Sequence, residues 1–247
     1  MNWIVFDVDG VLIDVDKSYD VAVKFTVEQF LDAVGKTVDI EFKDIKRLRE
    51  KGIFPDDFKL CEALILGRME YGDKFVEKFP DEEDVSWMRD VRGACIKPSS
   101  IKRIFNTYYL GDKFENRLFD TKGLYNEEKR IIDLKLLKKA EEFFDIGVVT
   151  GRNDLEMRLA EEVIGYEFDH VVTRDHALKP DPICLEKIGA EKGVYIGDTE
   201  TDQRLVERYN NKNENEKSFE FQKVDDDQDV NQVLEELVDR PNPRTSR

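Results

Sequence analysis

Four short stretches hold residues whose types and spacing can do chemistry. In Phe6-Asp7-Val8-Asp9-Gly10, two carboxylates stand two residues apart at the end of an apolar run. Strand alternation aims both at one face, while Gly10 bends the chain at once and lets them reach different targets. A carboxylate at a strand end can attack phosphorus and form an acyl-phosphate. A second one beside it can protonate a leaving oxygen and then activate water. Asp-x-Asp is also common in plain turns. An EF-hand loop does not fit, because it needs a third oxygen ligand ahead of a glycine at its sixth position, and Gly10 is fourth from Asp7.

The other three stretches are individually weaker. Thr150-Gly151-Arg152 pairs a hydroxyl with free backbone N–H groups at the start of a helical pattern, a natural seat for an anion, although Thr there also serves as a simple cap. Lys179, before Pro180-Asp181-Pro182, reads alone as a solvated loop lysine. Near Asp7, its ammonium would offset repulsion between a carboxylate nucleophile and an incoming phosphate. In Gly197-Asp198-Thr199-Glu200-Thr201-Asp202, Asp198 reads equally as a hard-oxygen ligand for Mg²⁺ and as a helix-start acid, with Asp202 one turn further on.

Positioning these groups requires particular elements. Trp3 to Val8 has the branched, aromatic composition of a short buried strand. From about Ser18 the apolar residues Val21, Phe25, Val27, Phe30, Leu31 and Val34 recur at helical spacing, and Gly35 ends the run. Helical patterns continue to about residue 142, including Phe58–Met69, Ser99–Tyr109 and Glu127–Phe144. Loops are expected at Gly52–Asp57, Phe79-Pro80-Asp81 and Lys97-Pro98. Beyond Phe144, strands at Ile146–Val149, His170–Thr173, Val194–Ile196 and Phe219–Val224 alternate with helices at Asp154–Ile164, Pro182–Ile188, Thr201–Tyr209 and Val230–Leu237. Such alternation demands crossover connections and hence a parallel sheet. Asn210–Lys217 reads as a polar surface loop.

The expected fold class is therefore α/β: a Rossmann-like parallel sheet core from residues 1–15 and 128–240, a helical cap inserted at 16–127, and a disordered tail at 241–247. The insertion follows the first strand, at whose carboxyl end open α/β sheets bind ligands. All four chemical stretches end strands, and together they supply what phosphoryl transfer needs: a nucleophile, an acid/base, phosphate donors and a carboxylate for a metal.

Composition narrows the partners. Among 247 residues, 39 Lys+Arg face 55 Asp+Glu, a formal net charge of −16, which repels nucleic acid and anionic lipid. No apolar run approaches membrane-spanning length, and the start lacks a signal-peptide pattern, so the cytoplasm is expected. The three scattered cysteines, Cys61, Cys95 and Cys184, fit neither a disulfide framework nor a Cys-x-x-Cys site. With only two histidines, His170 and His176, any metal is held by oxygen, as Mg²⁺, Ca²⁺ or Mn²⁺ are.

Taken together, residues 4–13 (Ile-Val-Phe-Asp-Val-Asp-Gly-Val-Leu-Ile), Thr150, Lys179-Pro180 and Gly197-Asp198 to Asp202 resemble the four motifs of the haloacid dehalogenase superfamily. The helical insert resembles the cap of its phosphoglycolate phosphatase and β-phosphoglucomutase branch. The resemblance implies that Asp7 is the nucleophile and Asp9 the general acid/base, and that Thr150 and Lys179, with Gly151 and Arg152, hold the phosphate. It also implies that Asp7, the backbone carbonyl of Asp9, and Asp198 bind Mg²⁺, with Asp202 behind them orienting Lys179 or a metal-bound water. Dehalogenating members lack an acid at the place of Asp9, so its presence favours phosphate esters.

The implied activity is a Mg²⁺-dependent phosphatase acting on a small phosphorylated metabolite, as a monomer or homodimer. A phosphomutase and a non-catalytic binding protein are the alternatives. In the cap, the basic run Lys46, Arg47, Arg49 and Lys51 reads first as a solvated helix face. The sharper reading has Lys46, Arg49, Lys51 and Arg68 facing the cleft to read a substrate's anionic groups. Segments near Asp14–Ser18 and Leu124–Glu128 would hinge the cap. Trp87, Tyr108 and Tyr109 are expected in the core, the cysteines and both histidines are expected to be structural, and His176 is a candidate supporting residue beside Lys179.

Overall fold

The computed structural model describes residues 3–54, 56–213, 217–225 and 227–239. In chain order it begins with β1 (Trp3–Phe6) and β2 (Ile13–Asp14). Six helices follow: α1 (Tyr19–Ala33), α2 (Phe42–Lys51), α3 (Asp57–Tyr71), α4 (Phe75–Lys78), α5 (Val85–Arg92) and α6 (Pro98–Leu110). Then come β3 (Lys129–Arg130), α7 (Leu134–Glu141), β4 (Asp145–Val149), α8 (Asp154–Ile164), β5 (Val171–Val172) and α9 (Ile183–Ile188). The last elements are β6 (Lys192–Gly197), α10 (Glu200–Lys212), β7 (Ser218–Lys223) and α11 (Val230–Asp239). The chain divides into two compact units, residues 1–15 with 129–247, and residues 16–128. Both crossings between them fall at the ends of an antiparallel ribbon in which Ile13 pairs with Arg130 and Asp14 with Lys129.

In the first unit the sheet has the order β5-β4-β1-β6-β7, with every neighbouring pair parallel. Period-two alternation sorts its side chains into two layers. Ile4, Phe6, Ile146, Val148, Val194 and Ile196 meet α7, α8 and α11 through Leu137, Met157, Ile164, Val233, Leu234 and Leu237. Their alternates Val5, Val149 and Tyr195 meet α9 and α10 through Cys184, Leu185, Leu205, Val206 and Tyr209. Helices thus cover both faces, and Asp7, Thr150 and Asp198 follow directly on the carboxyl ends of β1, β4 and β6.

The second unit is helical. Its α3 is buried all round from Leu60 to Arg68, as befits a central helix. The buried acid Glu62 accepts from Arg89 Nε at 2.8 Å and Nη2 at 2.6 Å, and from the Ile96 N–H at 3.1 Å. Tyr109 is buried, its hydroxyl 3.0 Å from both Tyr19 Oη and Glu128 Oε1. Half-buried Trp87 packs on Phe79 and Tyr71. Among the described residues no helix is long and apolar enough to cross a membrane.

Two expectations need correction. The expected helix Glu127–Phe144 is interrupted: Lys129–Arg130 pairs as β3, the Ile131 N–H donates to the Leu12 carbonyl, and α7 starts only after Asp133, whose carboxylate caps Lys135 N. The expected loop Asn210–Lys217 begins too early, because α10 runs to Lys212 and Asn210 exchanges two hydrogen bonds with the Phe219 backbone of β7. Residues 214–216 and the expected tail 241–247 lie outside the described residues.

Candidate active site

Three strands deliver the carboxylates and the lysine to one place. Asp7 follows β1, and its N–H extends the ladder to the Ile196 carbonyl. Its side chain is nearly buried. Asp7 Oδ1 accepts from the Val8 N–H at 2.7 Å and from Lys179 Nζ at 2.9 Å, leaving Oδ2 uncommitted. After β6, Asp198 approaches the Asp9-Gly10 turn so closely that a Cβ on Gly10 (φ 74°) would fall on Asp198 Oδ2. Gly10 therefore serves both the left-handed turn and the approach of the carboxylate.

Lys179 reaches in from the β5–α9 connection and places Nζ 2.8 Å from Asp202 Oδ1 as well as on Asp7. Asp202 is fully buried and has no oxygen to spare. Tyr195 Oη lies 3.0 Å from Oδ1, while Oδ2 accepts from Thr199 Oγ1 at 2.5 Å and Thr199 N at 3.2 Å. Those Thr199 bonds belong to the capping box of α10, in which Asp202 N donates to Thr199 Oγ1. The helix cap thus doubles as the mount for a charged network.

Burial strains these charges. It pushes Asp7 up to about 8, against the pull of Lys179 and with the help of Asp202 and Asp9. Burial, then Asp202, pushes Asp198 up to about 6. Burial alone would lower Lys179, yet Asp7 and Asp202 together hold it above the usual lysine value, so it stays charged.

Do these groups suit a divalent cation? Asp7, Asp198 and Asp202 each offer an oxygen within 4.8 Å of the others. Asp198 Oδ1 is buried with no hydrogen-bond partner, while Asp202 already accepts four bonds. A hard cation therefore fits between Asp7 and Asp198, with Asp202 behind as the anchor of Lys179.

Thr150, buried after β4, donates its N–H to the Val172 carbonyl, and its Oγ1 accepts from the Arg152 N–H at 3.1 Å. Gly151 is exposed, with open space where a Cβ would stand. Arg152 turns its guanidinium onto Asp9 Oδ1, with Nε at 2.8 Å and Nη2 at 2.6 Å. His176 lies against Thr173 and Asp154, and the His170 ring packs edge-on against Trp3.

In the helical unit, Arg49 bridges Asp20 and Asp57, and Arg68 bridges Asp44 and Asp73. Lys51 lies by Asp81 and the Val76 carbonyl, and Lys46 is exposed. Two supporting residues escape the sequence reading. Thr199 is legible in hindsight as Thr-x-x-Asp, the spacing of a cap that reaches back to its own start. Tyr195 reads only as a strand residue.

No family model and no curated protein matches the chain. Among solved structures it is 47% identical to phosphatase Tt82 from Thermococcus thioreducens, with a TM-score of 0.89 over 97% of this chain and 100% of that one. It shares its fold, at 16% identity and a TM-score of 0.53, with a candidate phosphoglycolate phosphatase from Lactobacillus delbrueckii subsp. bulgaricus, covering 96% of this chain and 99% of that one. Nearly half the residues are thus shared along the whole of Tt82, on a parallel sheet whose strand ends carry the expected acids and lysine. The chain belongs to the haloacid dehalogenase superfamily, on its phosphatase side.

Proposed function

We propose that the protein is a Mg²⁺-dependent phosphatase that hydrolyses a small phosphomonoester through an aspartyl-phosphate on Asp7. The observation that carries this reading is the unequal use of the two carboxylates. Asp7 is clamped through Oδ1 with Oδ2 left over, and beside it Asp198 Oδ1 is buried without a partner. Asp7, the Asp9 carbonyl and Asp198 would hold Mg²⁺, which when bound neutralises charge on the phosphoryl oxygens.

The protein's own groups divide the work. Asp7 Oδ2 forms a bond to phosphorus as the ester P–O bond breaks. The leaving oxygen takes a proton from Asp9. Asp9, now a carboxylate, then removes a proton from water. The water oxygen bonds to phosphorus as the P–O bond to Asp7 breaks, returning the Asp7 carboxylate and inorganic phosphate. Lys179 offsets the approach of two anions, and the Thr150 hydroxyl and Gly151 N–H receive phosphoryl oxygens. Asp202, Thr199 and Tyr195 keep Lys179 in place.

The test uses a chromogenic phosphate ester. Asp7→Asn is expected to abolish turnover, and a chelator is expected to stop the native enzyme reversibly. Full activity in either case refutes the reading.

A further inference from the structure

Arg152 was expected to bind phosphate, but its side chain is wholly shielded from solvent and its charge is already engaged. A buried guanidinium is stable only when its donors are met. Here Nε and Nη2 both point at Asp9 Oδ1, and Nη1 lies 3.4 Å from the Glu156 carbonyl. Asp9 keeps 31% of its side chain exposed. Its Oδ1 is therefore covered by two donors, and its Oδ2 is the oxygen left to carry a proton. The backbone of the same arginine fixes Thr150, since the Arg152 N–H occupies a lone pair of Oγ1 and leaves the hydroxyl hydrogen free to donate elsewhere.

We propose that Arg152 is a positioning residue that fixes Asp9 as the general acid, so that the proton passes to and from the substrate through Oδ2. This rests on the phosphatase reading above. In the first half-reaction the Oδ2–H bond breaks as the leaving oxygen takes the proton. In the second, Oδ2 takes a proton from the attacking water. Oδ1 stays under the guanidinium throughout. The planar fork is essential, because two N–H donors converging on Oδ1 hold that oxygen in place. A lysine ammonium supplies charge without that constraint.

A series of phosphate monoesters with leaving groups from nitrophenol to simple alcohols provides the test, read as kcat/KM so that only the steps through departure of the leaving group count. A nitrophenolate leaves without a proton, whereas an alkoxide needs one. Arg152→Gln is expected to lower kcat/KM by about 10²–10³-fold for alkyl phosphates and by less than about 10-fold for the nitrophenyl ester. Arg152→Lys, which keeps the cation, is expected to show the same selective loss in milder form. Adding either change to Asp9→Asn is expected to cost little more, because the two residues act as one unit.

A uniform loss across the series with unchanged thermal midpoints would mean that Arg152 acts on the phosphate, and would overturn the proposal. So would a leaving-group dependence unchanged from the native enzyme. Should Arg152→Gln fail to fold, Arg152→Lys alone decides by the same criterion. The two readings fail separately. If Asp7→Asn retains full turnover, the phosphatase mechanism is lost. If Asp7→Asn is dead and the Arg152 variants keep the native dependence, only the role of Arg152 is lost.

Discussion

Both units of the chain bury charged side chains, but the cluster around Lys179 in the α/β unit treats them differently from the helical unit. In the helical unit the buried charges face opposite charge, although Arg68 Nε itself has no hydrogen-bond partner. Glu62 takes the whole fork of Arg89 and a backbone N–H, and Arg68 has Asp44 on one terminal nitrogen and Asp73 on the other. In the α/β unit Asp7, Asp198 and Asp202 crowd one lysine, and Asp198 keeps a buried oxygen with no partner. The first arrangement is what stability asks of buried charge. The second is tolerable only if something else completes it, and burial raises the proton affinity of Asp7 and Asp198. Unfinished neutralisation, more than buried charge as such, separates a site from a structural ion pair.

The contrast can be broken at several points. Lys179→Met should do most damage, because it leaves Asp7 and Asp202 facing each other in a buried site. We expect turnover to fall by at least ~10³-fold and metal-free stability by about 3–5 kcal/mol at pH 8, measured by phosphate release and urea unfolding. Recovery of stability as pH falls would reflect protonation of Asp7.

The pH dependence of the native protein is the next largest effect. Asp7 and Asp198 have folded values above their unfolded one, so the folded state binds extra protons between about pH 4 and 8. Their stabilising contribution is complete below pH 4 and is lost as pH rises through about 6 and then 8. Metal-free protein should unfold at lower urea at pH 8 than at pH 5, with a slope of at most ~1.4 kcal/mol per pH unit for each group. Asp7→Asn should flatten that slope, and an identical slope in the variant would sink this assignment.

Mg²⁺ comes third. At a hundredfold excess over its dissociation constant it should stabilise the native protein by about 2.7 kcal/mol, and Asp198→Asn should lose most of that shift in a thermal melt.

In the helical unit Glu62→Ala should cost about 1–3 kcal/mol, because the Ile96 N–H and the Arg89 fork lose their acceptor. Chelator or Mg²⁺ should leave that loss unchanged. Smallest of all, Arg49→Ala should cost less than about 1 kcal/mol, because its side chain is 37% exposed and its pairs with Asp20 and Asp57 are screened.

Much of this was legible in sequence, for physical reasons that differ from place to place. Ile4, Val5 and Phe6 alternate between two apolar layers, and α8 carries a helical pattern between Asn153 and Gly165, so the strand ends could be found and the chemical groups placed on them. Lys129–Arg130 could not be found. Both residues are exposed and polar, and their pairing depends on Ile13–Asp14, far away in the chain. The direction of Arg152 was equally hidden. Spacing fixes the position of its backbone after Thr150, but nothing local says that the guanidinium turns to Asp9, 143 residues away. Local pattern reports on elements, while the partner of a buried charge is set by the tertiary fold.

The most direct measurement is to trap the covalent intermediate. Native protein mixed with Mg²⁺ and a phosphomonoester, quenched in acid within a single turnover and digested for mass spectrometry, should carry phosphate on the peptide containing Asp7. The same peptide from Asp7→Asn, or from chelated enzyme, should be bare. Phosphate found on another residue, or rapid release of inorganic phosphate by Asp7→Asn, would contradict the assignment of Asp7 as the nucleophile.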